Sequence, residues 1–250
     1  GAFNHPLTSD RCTSPAVRAM IQEWLAVAPH LVMYEYYAGH YRWMVPWDVT
    51  DVLAADVAYY ATFTHYGRRI EGSEFENHPQ WATGGLNMYA YARLLWDATE
   101  DVNDIRERWY RDLFGVAGEA VRAYFGAAKA AAHRLDGECF TGEPAAVTTV
   151  FTPDVLETMA RELARARTLA DSDAVRARID YLAWGLRYTQ LEVDVMGCRQ
   201  RGDLTAELEA LRAMLKFADQ VPPGAVQGWL IHLGYDGRER NLPKRIEKLQ

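Results

Sequence analysis

Two glutamates carry the first chemical hint. Glu35 ends the apolar, aromatic run Leu31-Val32-Met33-Tyr34, and Glu71 follows Arg68-Arg69-Ile70. Both runs have the length and composition of buried strands, so each carboxylate is expected at or near a strand's C-terminal end. Paired carboxylates so placed are what glycoside cleavage uses. One protonates the leaving oxygen and the other attacks or activates water, unless the substrate's own N-acetyl group takes the second part. Tyr34, Tyr36 and Trp43 stand close enough in sequence to desolvate one of the two and keep it protonated. Flat rings stack on the flat, partly apolar faces of sugars, and Tyr36, Tyr37, Tyr41, Trp43, Trp47 and Trp81 crowd the segments after the two glutamates. The expected site therefore has Glu35 and Glu71 as catalytic carboxylates, with Tyr36, Tyr37, Trp43, Glu74 and Trp81 binding substrate. Each residue also has a plainer use. Carboxylates pair with arginine or tyrosine, and rings pack against a rim or a core.

The elements that would position these groups alternate. Ser14-Pro15 opens a helix whose apolar residues Val17, Ile21, Trp24 and Leu25 recur at helical spacing, and Pro29 stops it. A strand over 31–37 follows. A second helix starts at Asp48 or Thr50 and runs to about Tyr66. A second strand covers 68–72, a polar loop with Glu74, Glu76 and His78 covers 73–85, and a third helix covers 86–96. Strands alternating with helices predict a parallel sheet. Glu71 stands 36 residues after Glu35 (71 − 35), against about 31 residues per unit in a (β/α)8 barrel. Two such units cannot close a barrel, so about six earlier units are expected outside this chain.

From residue 99 the pattern is helix after helix, with candidates at 102–113, 116–135, 154–169, 174–201 and 204–221. Thr152-Pro153-Asp154 and Asp171-Ser172-Asp173 are helix starts, and Gly202-Asp203 is a break. Trp24, Trp96, Trp109 and Trp184 fall at core spacing. Arg161, Arg165, Arg167, Arg176 and Arg178 read as a solvated face with acidic partners. The fold class is α/β plus all-α: residues 1–98 form the C-terminal part of a TIM-like (β/α)8 barrel, and residues 99–250 form a helical bundle domain.

Composition excludes several classes. The 250 residues are 49% hydrophobic and carry a net charge of -7, so the chain has ample material for a core. A pI near 5.5 without a basic run argues against nucleic acid as a partner. No apolar stretch approaches the roughly 20 residues of a membrane span. Cys12, Cys139 and Cys198 are scattered and form no CxxC, so no metal site is expected, and no cofactor either. There is no Gly-x-Ser-x-Gly nucleophile elbow and no Gly-rich phosphate loop. The start, Gly1-Ala2-Phe3-Asn4, has neither the basic nor the apolar region of a signal peptide, and the compartment, extracellular or cytoplasmic, is left open.

Longer stretches bear a family likeness. Asn4-His5-Pro6-Leu7, Trp24 and Leu31-Val32-Met33-Tyr34-Glu35-Tyr36-Tyr37 resemble the bacterial barrel proteins of glycoside hydrolase family 163. Ile70-Glu71-Gly72 is similar to a strand-ending motif there. The most specific stretch is Leu86-Asn87-Met88-Tyr89-Ala90-Tyr91-Ala92-Arg93-Leu94-Leu95-Trp96-Asp97, followed by Asp101-Val102 and by Trp109 through Gly115. The likeness covers about residues 4–200. It departs at Glu71-Gly72-Ser73, where Glu-Gln-Gly is the family's form, and at Glu35, where Asp is common. The resemblance implies a TIM-like barrel with an appended helical domain, acting on N-acetylglucosamine-containing glycans as an endo-β-N-acetylglucosaminidase.

The expected function is that of a glycoside hydrolase fragment with an oligosaccharide substrate, completed by an N-terminal barrel part outside this chain. The alternative is a non-catalytic glycan-binding or interaction module built on a degenerate barrel. A third possibility, a stand-alone helical scaffold, predicts both glutamates buried in ion pairs.

Overall fold

A computed structural model describes residues 5–35, 45–63, 69–75, 80–135, 144–226 and 246–247. Two parallel strands, β1 (His30–Glu35) and β2 (Arg69–Phe75), make a small sheet. Helices α1 (Ser14–Val27), α2 (Thr50–Ala61) and α3 (Trp81–Trp96) alternate with them. The expected order of helix, strand, helix, strand, helix is the observed one. The α/β-plus-helical class holds at this level, with two strands among the described residues.

One face of the sheet is covered. Leu31, Met33 and Ile70 pack with Ile21 and Leu25 of α1 and with Tyr59, Tyr60 and Phe63 at the end of α2. Burying such side chains is worth about 1.5–3 kcal/mol each, which explains why this face excludes water. The other face is open: Val32 is 65% exposed and Tyr34 50%. Register explains the split. Leu31 pairs with Ile70, but Val32 pairs with Gly72, so Glu71 is an extra residue, a β-bulge. Beyond it Met33 pairs with Ser73, Tyr34 with Glu74 and Glu35 with Phe75.

Helix α3 starts five residues earlier than the sequence pattern indicates. Its first turns, Trp81-Ala82-Thr83-Gly84-Gly85, read as loop because they hold two glycines. Ala82 to Met88 are nonetheless all buried. Small side chains let another helix approach closely. That helix is α8 (Asp173–Arg201), where a Cβ added to Gly185 would lie 2.7 Å from Thr83 Cγ2.

The rest is helical: α4 (Val102–Phe114), α5 (Gly118–Ala132), α6 (Pro144–Val150), α7 (Pro153–Leu169), α8 and α9 (Leu204–Ala218). Their termini follow capping chemistry. Asp101 accepts the Asn103 and Asp104 N–H groups, Ser172 accepts that of Val175 and Asp203 that of Ala206. The main core joins α4, α5, α7, α8 and α9, and includes Leu86 of α3 and Val45. Elements on the two sides of residue 98 thus share one core. Trp109 is buried in that core, and Trp184 packs at 5.6 Å from Phe217. Trp24 and Trp96 are not core residues; they are 57% and 89% exposed. In α1 the pair Ile21/Leu25 faces the sheet, and Trp24 falls on the neighbouring stripe with Met20 and Val27, which are also exposed.

Candidate functional site

The candidate glutamates lie at opposite ends of the sheet. Glu35 is the last residue of β1, as expected. Strand alternation puts it on the covered face with Leu31 and Met33, and the Tyr60 hydroxyl of α2 donates to its Oε1. Behind it lies a buried polar cluster. Asp56 of α2 is 3% exposed and accepts the Leu7 N–H, which ties the N-terminal segment to α2. The Tyr91 hydroxyl of α3 stands beside Ser73. Burial raises its pKa, Ser73 opposes this, and the charges of Glu35 and Asp56 raise it further. Glu35 is therefore braced by the Tyr60 phenol on the helix side of the sheet.

Glu71 differs from the expectation in position. Its strand continues to Phe75, so Glu71 sits in the bulge near the N-terminal end, about 13 Å along the strand from the residue paired with Glu35. There its Oε1 receives Arg69 Nε at 2.9 Å and faces His30 Nδ1 at 2.9 Å. The Arg69 hydrogen bond outweighs the opposing effect of burial and, aided by the charge of His30, holds the Glu71 carboxyl below its ordinary range. That favours the ionised form, the reverse of what a general acid needs. Gly72 looks like a strand terminator in the sequence, whereas it is the residue after a bulge.

The bulge turns Glu74 outward. Paired with Tyr34, Glu74 is exposed on the open face, one residue from the end of β2. Trp81, six residues beyond Phe75, takes the first position of α3 and is 52% exposed. Tyr36, Tyr37, Trp43 and Tyr41 lie outside the described residues, as do Glu76 and His78. Trp47 is no platform, since it packs edge-on to Phe151 of the helical core at 6.2 Å. The structure thus brings Tyr34 and Glu74 together, sets Glu35 behind them and removes Glu71 from the group.

Sequence reasoning missed a second set of residues, which holds the sheet unit to the helices. Asn87 of α3 is buried; its amide donates to the Trp47 carbonyl at 2.6 Å and its oxygen accepts the Val49 N–H at 3.2 Å. Just beyond, Lys129 Nζ reaches Asp48 at 3.3 Å and Asp51 at 2.6 Å, and Arg106 reaches Asp51 and the Thr50 hydroxyl, both at 2.7 Å. Burial alone would raise the Asp51 pKa. The hydrogen bonds and charges of Lys129 and Arg106 outweigh it and hold the carboxyl below its ordinary range. For Asn87 the signal in the sequence was a polar residue inside an otherwise apolar run, Leu86-Asn87-Met88. The arginines of α7 and α8 are solvated as expected: Arg165 pairs with Glu162 and Glu119, and Arg176 with Asp173. Such exposed pairs contribute little stability.

Among the described residues, no three His, Cys, Asp or Glu side chains converge as a metal ion would require, and no helix is long and apolar enough to cross a membrane. Residues 2–126 match the family model described as a domain of unknown function, DUF4838. The chain belongs to that family. The matched region runs through the whole sheet unit and into α5. No curated protein and no solved structure matches the chain.

Proposed function

We propose that the chain is the C-terminal portion of a (β/α)8-barrel glycoside hydrolase acting on N-acetylglucosamine-containing glycans, with Glu74 as the carboxylate that meets the sugar. One observation carries this reading. The open face of two parallel strands ends in a paired Tyr34 and Glu74, at the strand end where barrels keep their chemistry. The exposed Val32 and Tyr34, and the stripe Met20, Trp24 and Val27 on α1, are surfaces that neighbouring barrel units would cover. The family resemblance of residues 4–200 supplies the substrate class. Glu74 acts as general acid toward the leaving oxygen. The second group is either a carboxylate from an earlier strand or the substrate's acetamido group. Glu35 is a positioning residue behind β1, and Glu71 is an ion-pair anchor at the opposite end.

The engagement of Glu35 by Tyr60 and of Glu71 by Arg69 and His30 favours a second reading, a glycan-binding module without turnover. Hydrolysis of an N-glycan by the full-length protein separates the two. Glu74→Gln is expected to lower kcat by about 10² or more, while Glu71→Gln leaves it within about twofold. Full activity in Glu74→Gln removes this residue from the mechanism. Glycan binding with no turnover in the wild type establishes the module instead.

A further inference from the structure

We infer that Trp81, Tyr181 and the turn at 222–225 form a binding platform for one hexopyranose ring, so that the helical half of the chain contributes part of the sugar site. The inference rests on the carbohydrate reading above and extends it from Trp81, a candidate sugar platform in the sequence, to Tyr181 and the turn at 222–225, which no motif singles out.

The platform is built by backbone staples. The Trp81 and Ala82 N–H groups, free donors at the start of α3, are taken by the carbonyls of Gly224 (2.8 Å) and Ala225 (3.2 Å). The Tyr181 hydroxyl of α8 donates to the Pro223 carbonyl at 2.6 Å. Gly224 has φ +85°, and a Cβ there would lie 2.8 Å from Tyr181 Oη and 3.6 Å from Trp81 Cδ1. Only glycine allows this approach. One turn along α3, a Cβ on Gly85 would lie 3.6 Å from Trp81 Cε3. The indole is thus backed by a glycine near each of its two rings and still has half its surface in water.

That combination has a chemical meaning. A ring held in place loses little entropy when a ligand stacks on it. Beside the ring stand acceptors: the Tyr181 oxygen, whose proton is committed to Pro223, and the second lone pair of that carbonyl. A ligand with an apolar face and donor hydroxyls at its edge satisfies both. A purely apolar ligand would leave the acceptors desolvated and unpaired. A pyranose has that face and that edge. Location agrees, because Trp81 is six residues beyond the end of β2, within about 20 Å of Glu74's strand end. A glycan of a few units spans that distance.

Titration of N,N′-diacetylchitobiose into the ¹⁵N-labelled chain tests the inference. The eight tryptophans give indole N–H signals, and Trp81→Phe identifies that of Trp81. A saturable shift of this signal is expected. By calorimetry, Trp81→Ala weakens binding about tenfold and Tyr181→Phe about threefold, while Gly126→Ala, on the exposed side of α5, binds like the wild type. The inference is overturned if the disaccharide does not bind, if it moves other indole signals and not this one, or if Trp81→Ala binds like the wild type. A Trp81 signal that moves with protein concentration instead assigns the ring to self-association, and also overturns it. If Trp81→Ala does not fold, the indole signal and Tyr181→Phe decide. Turnover lost in Glu74→Gln with an unmoved Trp81 signal sinks the platform alone. Sugar binding at Trp81 with full turnover in Glu74→Gln sinks the catalytic assignment alone.

Discussion

Gly185→Ala and Gly126→Ala make the same change inside a helix, and the structure gives them opposite signs. Alanine in place of a helix-interior glycine is worth about 1 kcal/mol by propensity. At Gly126, on the exposed side of α5, the new methyl meets nothing within 4 Å, so the gain is kept whole. At Gly185 the methyl lands 2.7 Å from Thr83 Cγ2, 3.1 Å from Ala82 Cβ and 3.1 Å from the Ala82 carbonyl oxygen. Carbon atoms pack at about 3.5–4.0 Å, so α3 and α8 must part by most of an ångström. Thr83 is β-branched and buried, and the carbonyl is backbone, so neither yields locally. Overpacking costs about 1–3 kcal/mol, and rigid neighbours put this site at the upper end. The net effect is a loss of about 1–2 kcal/mol. For a chain of this size, each kcal/mol moves Tm by about 2–4 °C. Thermal melts should show Gly126→Ala higher by about 2–4 °C and Gly185→Ala lower by roughly 2–8 °C. Since α3 also carries Trp81, its indole signal should move in Gly185→Ala and not in Gly126→Ala. Equal melting temperatures for the two variants would refute the close crossing of α3 and α8.

Two further outcomes follow from the helical core and its junction with the sheet. Tyr124 is fully buried and its hydroxyl has no hydrogen-bond partner among the described residues, and burial pushes its pKa up; Tyr124→Phe should raise the urea midpoint by the equivalent of about 1 kcal/mol, whereas Tyr188→Phe, which gives up a 3.3 Å contact with Glu192, should lower it. The folded Asp51 carboxyl titrates below its unfolded value of about 3.9, so its contribution is present above that pH and lost as pH falls through the folded pKa. Asp51→Asn should flatten the stability curve below about pH 4 and leave its alkaline limb unchanged, with a smaller difference at high salt because the side chain is largely exposed. Identical acid limbs for Asp51→Asn and the wild type would remove the Lys129–Asp51–Arg106 junction from the account.

The helical half, apart from α6, which the sequence pattern did not indicate, was legible because its ends are written in local chemistry. Asp101, Ser172 and Asp203 cap their helices through side-chain oxygens, and Gly202 takes the left-handed conformation that ends α8. These signals need no knowledge of the rest of the fold. Failures came where tertiary contact overrides local preference. Gly84-Gly85 lowers helix propensity, yet small residues are what the α8 crossing requires, so α3 begins at Trp81 and not at Leu86. Trp24 sits at helical spacing, but spacing reports periodicity and not which stripe is covered. Asp48 ahead of α2, Asp51 on α2, Arg106 on α4 and Lys129 on α5 come together, a convergence that no linear spacing displays.

The candidate site turns on the same distinction between local pattern and register. Counted from Ile70, which faces the helices, strict alternation would put Glu71 on the open face and Glu74 on the covered one. A single inserted residue reverses every later assignment, and the pairing of Val32 with Gly72 places that insertion at Glu71. Glycine within a strand pattern was the one sequence signal of it, because a bulge tolerates a residue with no side chain to pack. The three glutamates then divide by environment: Glu35 against a phenol, Glu71 against two bases, Glu74 toward water. A reaction at the C-terminal end of the open face would find one carboxylate on these two strands. Its partner must come from a strand added at a sheet edge or from the substrate itself, which is why the sugar's N-acetyl group matters to the proposed mechanism as well as to recognition.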